Sequence, residues 1–305
     1  MKSFLLIIYL LAIPLSAQNV TVVENIAVTN ENEGSFYFAT VNPDGTSILF
    51  STENQKGLWL KNLKSGKINK ITDAAGAGYD AGFNDNSSEI FYRSDKFVSG
   101  KRMSSLMSFN LLTGKETKIE NDVKDLKISR TADWKCYLYM KENNVKSIPG
   151  NGSLNKIQAA QSVFIENSNI VLYRNGSKIT VQPLGKGNYI WPSISPDGTK
   201  LLFTFAGKGT YVSDLNGSIL AELGKANYPS WSPDGMWIVY MNDKDDGTKL
   251  ISSSICVIKY DGSAKYDLTE NEKDISVYPK WGNSTNEVYY NTQNGQVRKL
   301  ILKYE

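Results

Sequence analysis

The stretch Tyr228-Pro229-Ser230-Trp231-Ser232-Pro233-Asp234-Gly235-Met236-Trp237-Ile238-Val239-Tyr240-Met241 is the unit on which most of the chain is patterned. Trp231 ends a short extended run. Pro233 presets φ, Asp234 can bond its own backbone, and Gly235 supplies the positive φ that a tight turn needs. In the strand that follows, Ile238 and Tyr240 share one face while Trp237, Val239 and Met241 share the other. Both faces are apolar, as expected of a strand in a propeller blade held between two neighbouring blades.

The unit returns at Trp191 to Phe203 and at Val41 to Phe50. With the last apolar residue before the turn as an anchor, five copies keep apolar residues seven and nine positions later. They are Val41 with Ile48 and Phe50, Phe83 with Ile90 and Tyr92, Ile194 with Leu201 and Phe203, Trp231 with Ile238 and Tyr240, and Trp281 with Val288 and Tyr290. Two copies are degraded. Ile128 leads through Arg130-Thr131-Ala132-Asp133 to a strand at Cys136 to Met140, and Phe164 leads through Glu166-Asn167-Ser168-Asn169 to Ile170 and Leu172.

The anchors 41, 83, 128, 164, 194, 231 and 281 lie 42, 45, 36, 30, 37 and 50 residues apart, a mean of 40. That period suits a four-stranded blade, so the spacing predicts an all-β fold, a β-propeller of seven four-stranded blades. Six blades is the alternative if the segment around Phe164 is an insertion, but it leaves 194 minus 128, or 66 residues, for one blade, which is too many. The interval of 30 predicts a missing or very short outer strand in the fourth blade. Ser65-Gly66, Thr113-Gly114, Asn216-Gly217 and Asp261-Gly262 read as third-to-fourth strand turns, and Asn151-Gly152 and Asn175-Gly176 as further turns. The last repeat is one strand short, and Val20 to Val28 has no blade of its own. It is expected to supply that strand and close the ring, removing two exposed edges.

Composition narrows the function. Residues 1–17 carry Lys2, an apolar run from Phe4 to Leu15, then Ser16 and Ala17, the order of a cleavable secretory signal. The expectation is a signal peptide at 1–17, one domain over 18–305, and a periplasmic, secreted or cell-surface location. No later stretch approaches about 20 apolar residues, so no integral membrane segment is expected after cleavage. The net charge of +3 is too weak and scattered to suggest nucleic acid. The chain has no histidine, which removes Ser-His-Asp and Cys-His nucleophiles and the commonest ligand of catalytic zinc. Its two cysteines, Cys136 and Cys256, fall in the third and sixth repeats, too far apart in a ring to be bonded.

The Ser-Pro-Asp-Gly copies at 195–198 and 232–235, each preceded by aromatic-Pro-Ser and followed by a strand, resemble the repeats of the TolB-like propeller family. The resemblance extends over the mature chain, strongest in three repeats, and implies a β-propeller and export. It does not fix an activity, because function sits on sites grafted onto a fold. Related propellers joined to peptidases carry a hydrolase domain, for which this chain has neither room nor a histidine.

Three candidate chemistries remain. Asp243, Asp245 and Asp246 cluster beside Gly247 as calcium-loop carboxylates do, but the spacing to the glycine is one residue short and no acid holds the twelfth position, so a turn is the plainer reading and no cofactor is expected. The same acids, with Glu166 or Asp133, would have to face each other across a cleft to act on a glycan. The third candidate is a surface. Three residues before each anchor, where the chain enters the innermost strand near the channel mouth, stand Phe38, Asp80, Asp125, Gln161, Trp191, Tyr228 and Tyr278. The aromatic four belong to contiguous repeats and form half a ring, either filling gaps between blades or offering a docking surface. The reading is a monomeric, non-catalytic scaffold for a protein or peptide partner, with an envelope glycan binder or a carboxylate-dependent glycan enzyme as alternatives.

Overall fold

The computed structural model describes residues 19–135, 137–148 and 160–305. Apart from one 3-10 turn at Glu31–Glu33, regular structure among these residues is strand, arranged in seven antiparallel sheets. Five sheets have four strands and two have three. The innermost strands, in ring order, are Tyr37–Val41, Gly82–Phe83, Lys127–Arg130, Ser162–Glu166, Tyr189–Ile194, Asn227–Trp231 and Ser276–Trp281, and all except the second contribute at least two residues to the wall of one central channel. No helix among the described residues is long and apolar enough to cross a membrane. The signal segment, Cys136 and the Asn151-Gly152 turn lie outside the described residues; Cys256 is a free, buried thiol whose pKa burial pushes up to about 11.

The double-faced strand behaves as its sequence demands. In Trp237–Asp245, Trp237, Val239 and Met241 pack with Val277, Trp281 and Val288 of blade 7, while Ile238 and Tyr240 pack with Leu202 and Val212 of blade 5. Each blade interface is thus a separate slice of core, and the ring as a whole is the core. Two tryptophans tie neighbouring inner strands together: Trp281 Nε1 donates to Ser230 O at 3.1 Å, and Trp231 Nε1 lies 3.5 Å from Ser193 O.

The first residue of each regular inner turn has a defined duty. Ser232 Oγ donates to the Asp234 carboxylate and accepts from Trp237 N at 2.9 Å, and Ser195 repeats this with Asp197 and Lys200 N. In blades 1 and 2 the side-chain oxygens of Asn42 and Asn84 accept from Ser47 N and Glu89 N instead. Ser232 is fully buried, so Ser232→Ala leaves Trp237 N–H with its acceptor removed. We expect a loss of about 1–2 kcal/mol in urea unfolding; a change below about 0.3 kcal/mol would show that the turn does not need this bond.

The ring closes as the N-terminal segment predicts. Val20–Ala27 pairs antiparallel with Val297–Tyr304 as the outer strand of blade 7. Blades 7 and 1 are further joined by the buried Asn291, whose amide donates to Phe36 O at 2.8 Å and accepts from Phe38 N at 3.2 Å, and by Asn283 donating to Asn42 O.

Blade 4 departs from the plan in a way the spacing does not reveal. It has three strands among the described residues, and its innermost strand runs against the other six. Gln161, just ahead of Ser162–Glu166, accepts from Ala132 N and lies against Gly198, both in the ring of inner turns where the other innermost strands end. At its far end, Ser168 O accepts from Tyr189 N, where the next innermost strand begins. Blade 3 supplies the reason. Its third strand, Asn144–Ser147, ends beside Tyr137, at the inner-turn face, so residue 148 leaves from the end at which Gln161 enters. With three strands each among the described residues, blades 3 and 4 together leave blade 5 in phase with the regular blades.

Candidate functional site

The mouth opposite the inner turns is where each regular innermost strand begins, and each of blades 1, 5, 6 and 7 carries an irregularity there. Register shifts fall between Tyr37 and Thr40, Ile190 and Ser193, Asn227 and Ser230, and Val277 and Lys280. Within these bulges Phe38, Trp191, Tyr228 and Tyr278 have φ of 59°, 50°, 50° and 52°. Left-handed backbone is costly for a bulky residue, about 1–2 kcal/mol each. Glycine would turn the chain at lower cost, so what the aromatic residues add is their rings.

Those rings form one continuous wall. Trp191 and Tyr228 have centroids 4.6 Å apart, Tyr228 and Tyr278 4.8 Å, and Tyr278 and Phe38 4.6 Å, with Tyr37 at 6.2 Å from Tyr278 behind them. Each of the four is half-buried, with Tyr228 and Tyr278 resting on the core between blades 6 and 7. The structure therefore brings Phe38, Trp191, Tyr228 and Tyr278 together as a crescent. Asp80 (φ 54°) and Asp125 (φ 55°) stand exposed at the same mouth on blades 2 and 3. Gln161 does not join them: because its strand is reversed, it sits at the opposite end, its Oε1 buried and without a partner in the described residues.

The blade 3 frame also shifts. Seven-residue pairing, seen as Ile194 with Leu201 and Trp231 with Ile238, occurs there between Arg130 and Tyr137, while Ile128 pairs with Tyr139. The anchor is Arg130, so Asp125 lies five residues ahead of it rather than three. The missed signal is the turn: Thr131 Oγ1 donates to Asp133 as Ser232 does to Asp234. An apolar criterion passes over Arg130, whose guanidinium faces the channel and lies 5.4 Å from the Trp134 ring and 5.7 Å from Tyr137.

Below the crescent the channel encloses about 520 Å³. Its wall carries Asp80, Arg93, Lys127, Arg130 and Lys280, four cations against one carboxylate. Arg93 is 6% exposed; its Nη2 donates to Leu126 O at 2.8 Å and lies 4.0 Å from Asp80 Oδ2, beyond hydrogen-bond reach. Lys280 reaches Thr40 Oγ1 at 2.9 Å. Surrounding protein and the Arg130 charge lower the Lys280 ammonium to about 8, with Asp80 pulling the other way; the residue is open to the channel, so its desolvation is partial. Desolvation raises the Asp80 carboxyl against the pull of Arg93 and Lys280. Its side chain is nevertheless 57% open to solvent, so the desolvation is partial. Neither Arg93 nor Lys280 was singled out from the sequence, although Lys280 occupies the position before the anchor that Thr40, Ser193 and Ser230 hold elsewhere.

The other candidates are dispersed. Asp243 accepts from Asn227 Nδ2 and faces Lys225, Asp245 accepts from Gly247 N, and Asp246 caps Thr248 and Lys249. These carboxylates are engaged separately, as a hairpin turn requires, and no group of three or more His, Cys, Asp or Glu suited to a metal ion occurs among the described residues. Glu166 pairs with Lys178 on blade 4 and Asp133 holds its own turn on blade 3, and neither lines the channel.

No protein-family model matches the chain, and no curated protein does. Solved structures are similar. A crystal structure of TolB from Acinetobacter baumannii matches 76% of this chain and 54% of its own, at 19% identity and a TM-score of 0.49. The chain spans about half the length of that protein. An oligogalacturonate lyase in complex with manganese matches 90% of this chain and 79% of its own at 13% identity and a TM-score of 0.52; an oligogalacturonate lyase from Vibrio parahaemolyticus covers the same shares at 11% and 0.49. At these identities likeness speaks for the backbone alone, and by its own seven sheets around one channel the chain is a seven-bladed β-propeller.

Proposed function

We propose that this propeller is a non-catalytic binding module, exported to the cell envelope, that holds a protein or peptide partner on the aromatic crescent Trp191–Tyr228–Tyr278–Phe38. The supporting observation is the backbone beneath those rings: four bulky residues stand at positive φ in four consecutive blades, and each ring centroid lies within 4.8 Å of the next along the crescent. Backbone strain repeated around one opening is a feature of functional surfaces. Half-buried aromatic rings supply contact area at low entropic cost and dominate binding hot spots. Export rests on the order of charge, apolar run and small residues in 1–17.

The test pairs Trp191→Ala with Tyr278→Ala. Both rings are only half-buried, so melting is expected to fall by no more than about 3 °C, while capture of the partner from envelope extract drops at least tenfold. Capture must survive competition by envelope glycans. Full retention by the double variant would remove the crescent from the interaction, and loss to glycan competitors would favour a glycan-binding propeller. The enzyme alternative is motivated by the lyase fold likeness and is read separately: oligogalacturonate incubated with the protein and manganese should show no rise in unsaturated-product absorbance.

A further inference from the structure

Resting on the crescent as the docking face, we propose that the channel beneath it is a carboxylate site, in which Arg93 and Lys280 receive the carboxy terminus of a peptide whose last side chains lie against the rings. The charge balance is the first support. One carboxylate, Asp80, stands among Arg93, Lys127, Arg130 and Lys280, so the wall carries three positive charges in excess. Confinement by low-dielectric walls makes such an excess felt by an entering anion.

Arg93 is the second support. A guanidinium has five donors and no acceptor. Here it is 6% exposed, its Nη2 serves a backbone carbonyl, its Nε has no partner among the described residues, and its nearest carboxylate is 4.0 Å away. A buried cation without a contact anion is expensive, and an entering carboxylate relieves that cost. Lys280 complements it from blade 7, two blades away in the closed ring with only blade 1 between, with Nζ donating to Thr40 Oγ1 and its side chain exposed to the channel. Both cations line the same channel as Asp80 and pull on its carboxyl.

The layout fits an end group better than a polyanion. The buried Arg93 lies in the channel wall, whereas Asp80 and Asp125 stand exposed at the mouth beside Lys127, so an acidic polymer lying across the opening meets carboxylates before it reaches Arg93. The rings meet at interplanar angles of 34°, 76° and 41°, offering edges and faces alternately to side chains rather than a flat platform to a sugar.

The test uses dye-labelled pentapeptides with aromatic or aliphatic last residues, each made as the free acid and as the carboxamide. At pH 7 the acids are expected to bind at least tenfold more tightly than the amides. Arg93→Gln and Lys280→Gln should each cut that preference to less than threefold while leaving amide binding unchanged. Arg93→Lys, which keeps the charge in the buried position, should restore part of it if Arg93→Gln folds poorly. The groups acting on Lys280 are Thr40, Asp80 and Arg130, of which the arginine stays charged. Because the Lys280 ammonium is lowered to about 8, the preference should be full well below that pH and fall as pH rises through it, and Lys280→Gln should abolish the pH dependence. Equal binding of acid and amide overturns the carboxylate site, and so does tighter binding of trigalacturonate than of any peptide. If amides still bind and Trp191→Ala with Tyr278→Ala abolishes that binding, the crescent stands without the carboxylate site; if no peptide binds, both fall.

Discussion

A chain lacking residues 20–27 is expected to melt about 10 °C or more below the full protein and to self-associate as concentration rises. This segment pairs with Val297–Tyr304 through seven registered residue pairs, and Asn19 and Glu305 exchange two further backbone bonds at 2.8 and 2.9 Å. Val20 is buried in the core between blades 6 and 7, and Asn25 binds both Tyr290 Oη and Arg298 Nε. Net contributions of about 1 kcal/mol per hydrogen bond, discounted for bonds that water replaces, put the loss at about 4–5 kcal/mol. A domain of this size loses about 2–4 °C per kcal/mol. The deletion also turns Val297–Tyr304 into an unpaired edge, a template for strand addition from a second molecule. Calorimetry and sedimentation across a concentration series check both effects. A melting point within about 2 °C of the full protein, with a monomer throughout, would mean that blades 1 and 7 hold the ring closed without the N-terminal strand.

How much of this was readable beforehand depended on whether a residue's duty showed in its polarity. Trp231, Ile238 and Tyr240 announce a strand packed on both faces because burial requires apolar side chains at fixed spacing, and five blades obey that rule. The inner turns were readable because Ser232 or Asn42 must accept a backbone N–H five residues on, a task few side chains perform. The N-terminal strand was readable because the last repeat lacked a partner.

Direction was not readable. Strand Ser162–Glu166 carries the same alternation whichever way it crosses the ring, since period two is unchanged by reversal, so Gln161 was placed at the wrong end. Polarity concealed Arg130, an anchor whose duty is to face the channel rather than the core. The same holds for Arg93, which follows Ile90-Phe91-Tyr92 in a buried strand and was the charged residue in that run that needed explaining. The aromatic crescent was legible as a set of positions, but its bulged, left-handed backbone was not, because no glycine or asparagine marks it.

Trp231→Ala is expected to cost about 3–5 kcal/mol and to lower the melting point by about 8–12 °C. The indole is 2% exposed and fills the slice of core between blades 5 and 6, among Leu202, Val212, Ile238 and Tyr240. Its neighbours belong to strands fixed by their own ladders on both sides, so they cannot collapse into the space and most of the indole volume remains as a void. Trp231→Phe separates packing from the ring N–H. The Nε1 to Ser193 O separation is 3.5 Å, a weak bond, so the phenyl variant should lose about 1–2 kcal/mol, chiefly from the smaller ring. Met236→Ala, in the same hairpin but 46% exposed, should stay within about 0.5 kcal/mol of wild type and controls for the turn itself. Urea denaturation of the three variants orders them as alanine at 231, phenylalanine at 231, then alanine at 236. A cost below about 1.5 kcal/mol for Trp231→Ala would show that blades 5 and 6 are not locked by this residue, and that the anchor position sets spacing in the sequence without carrying the interface.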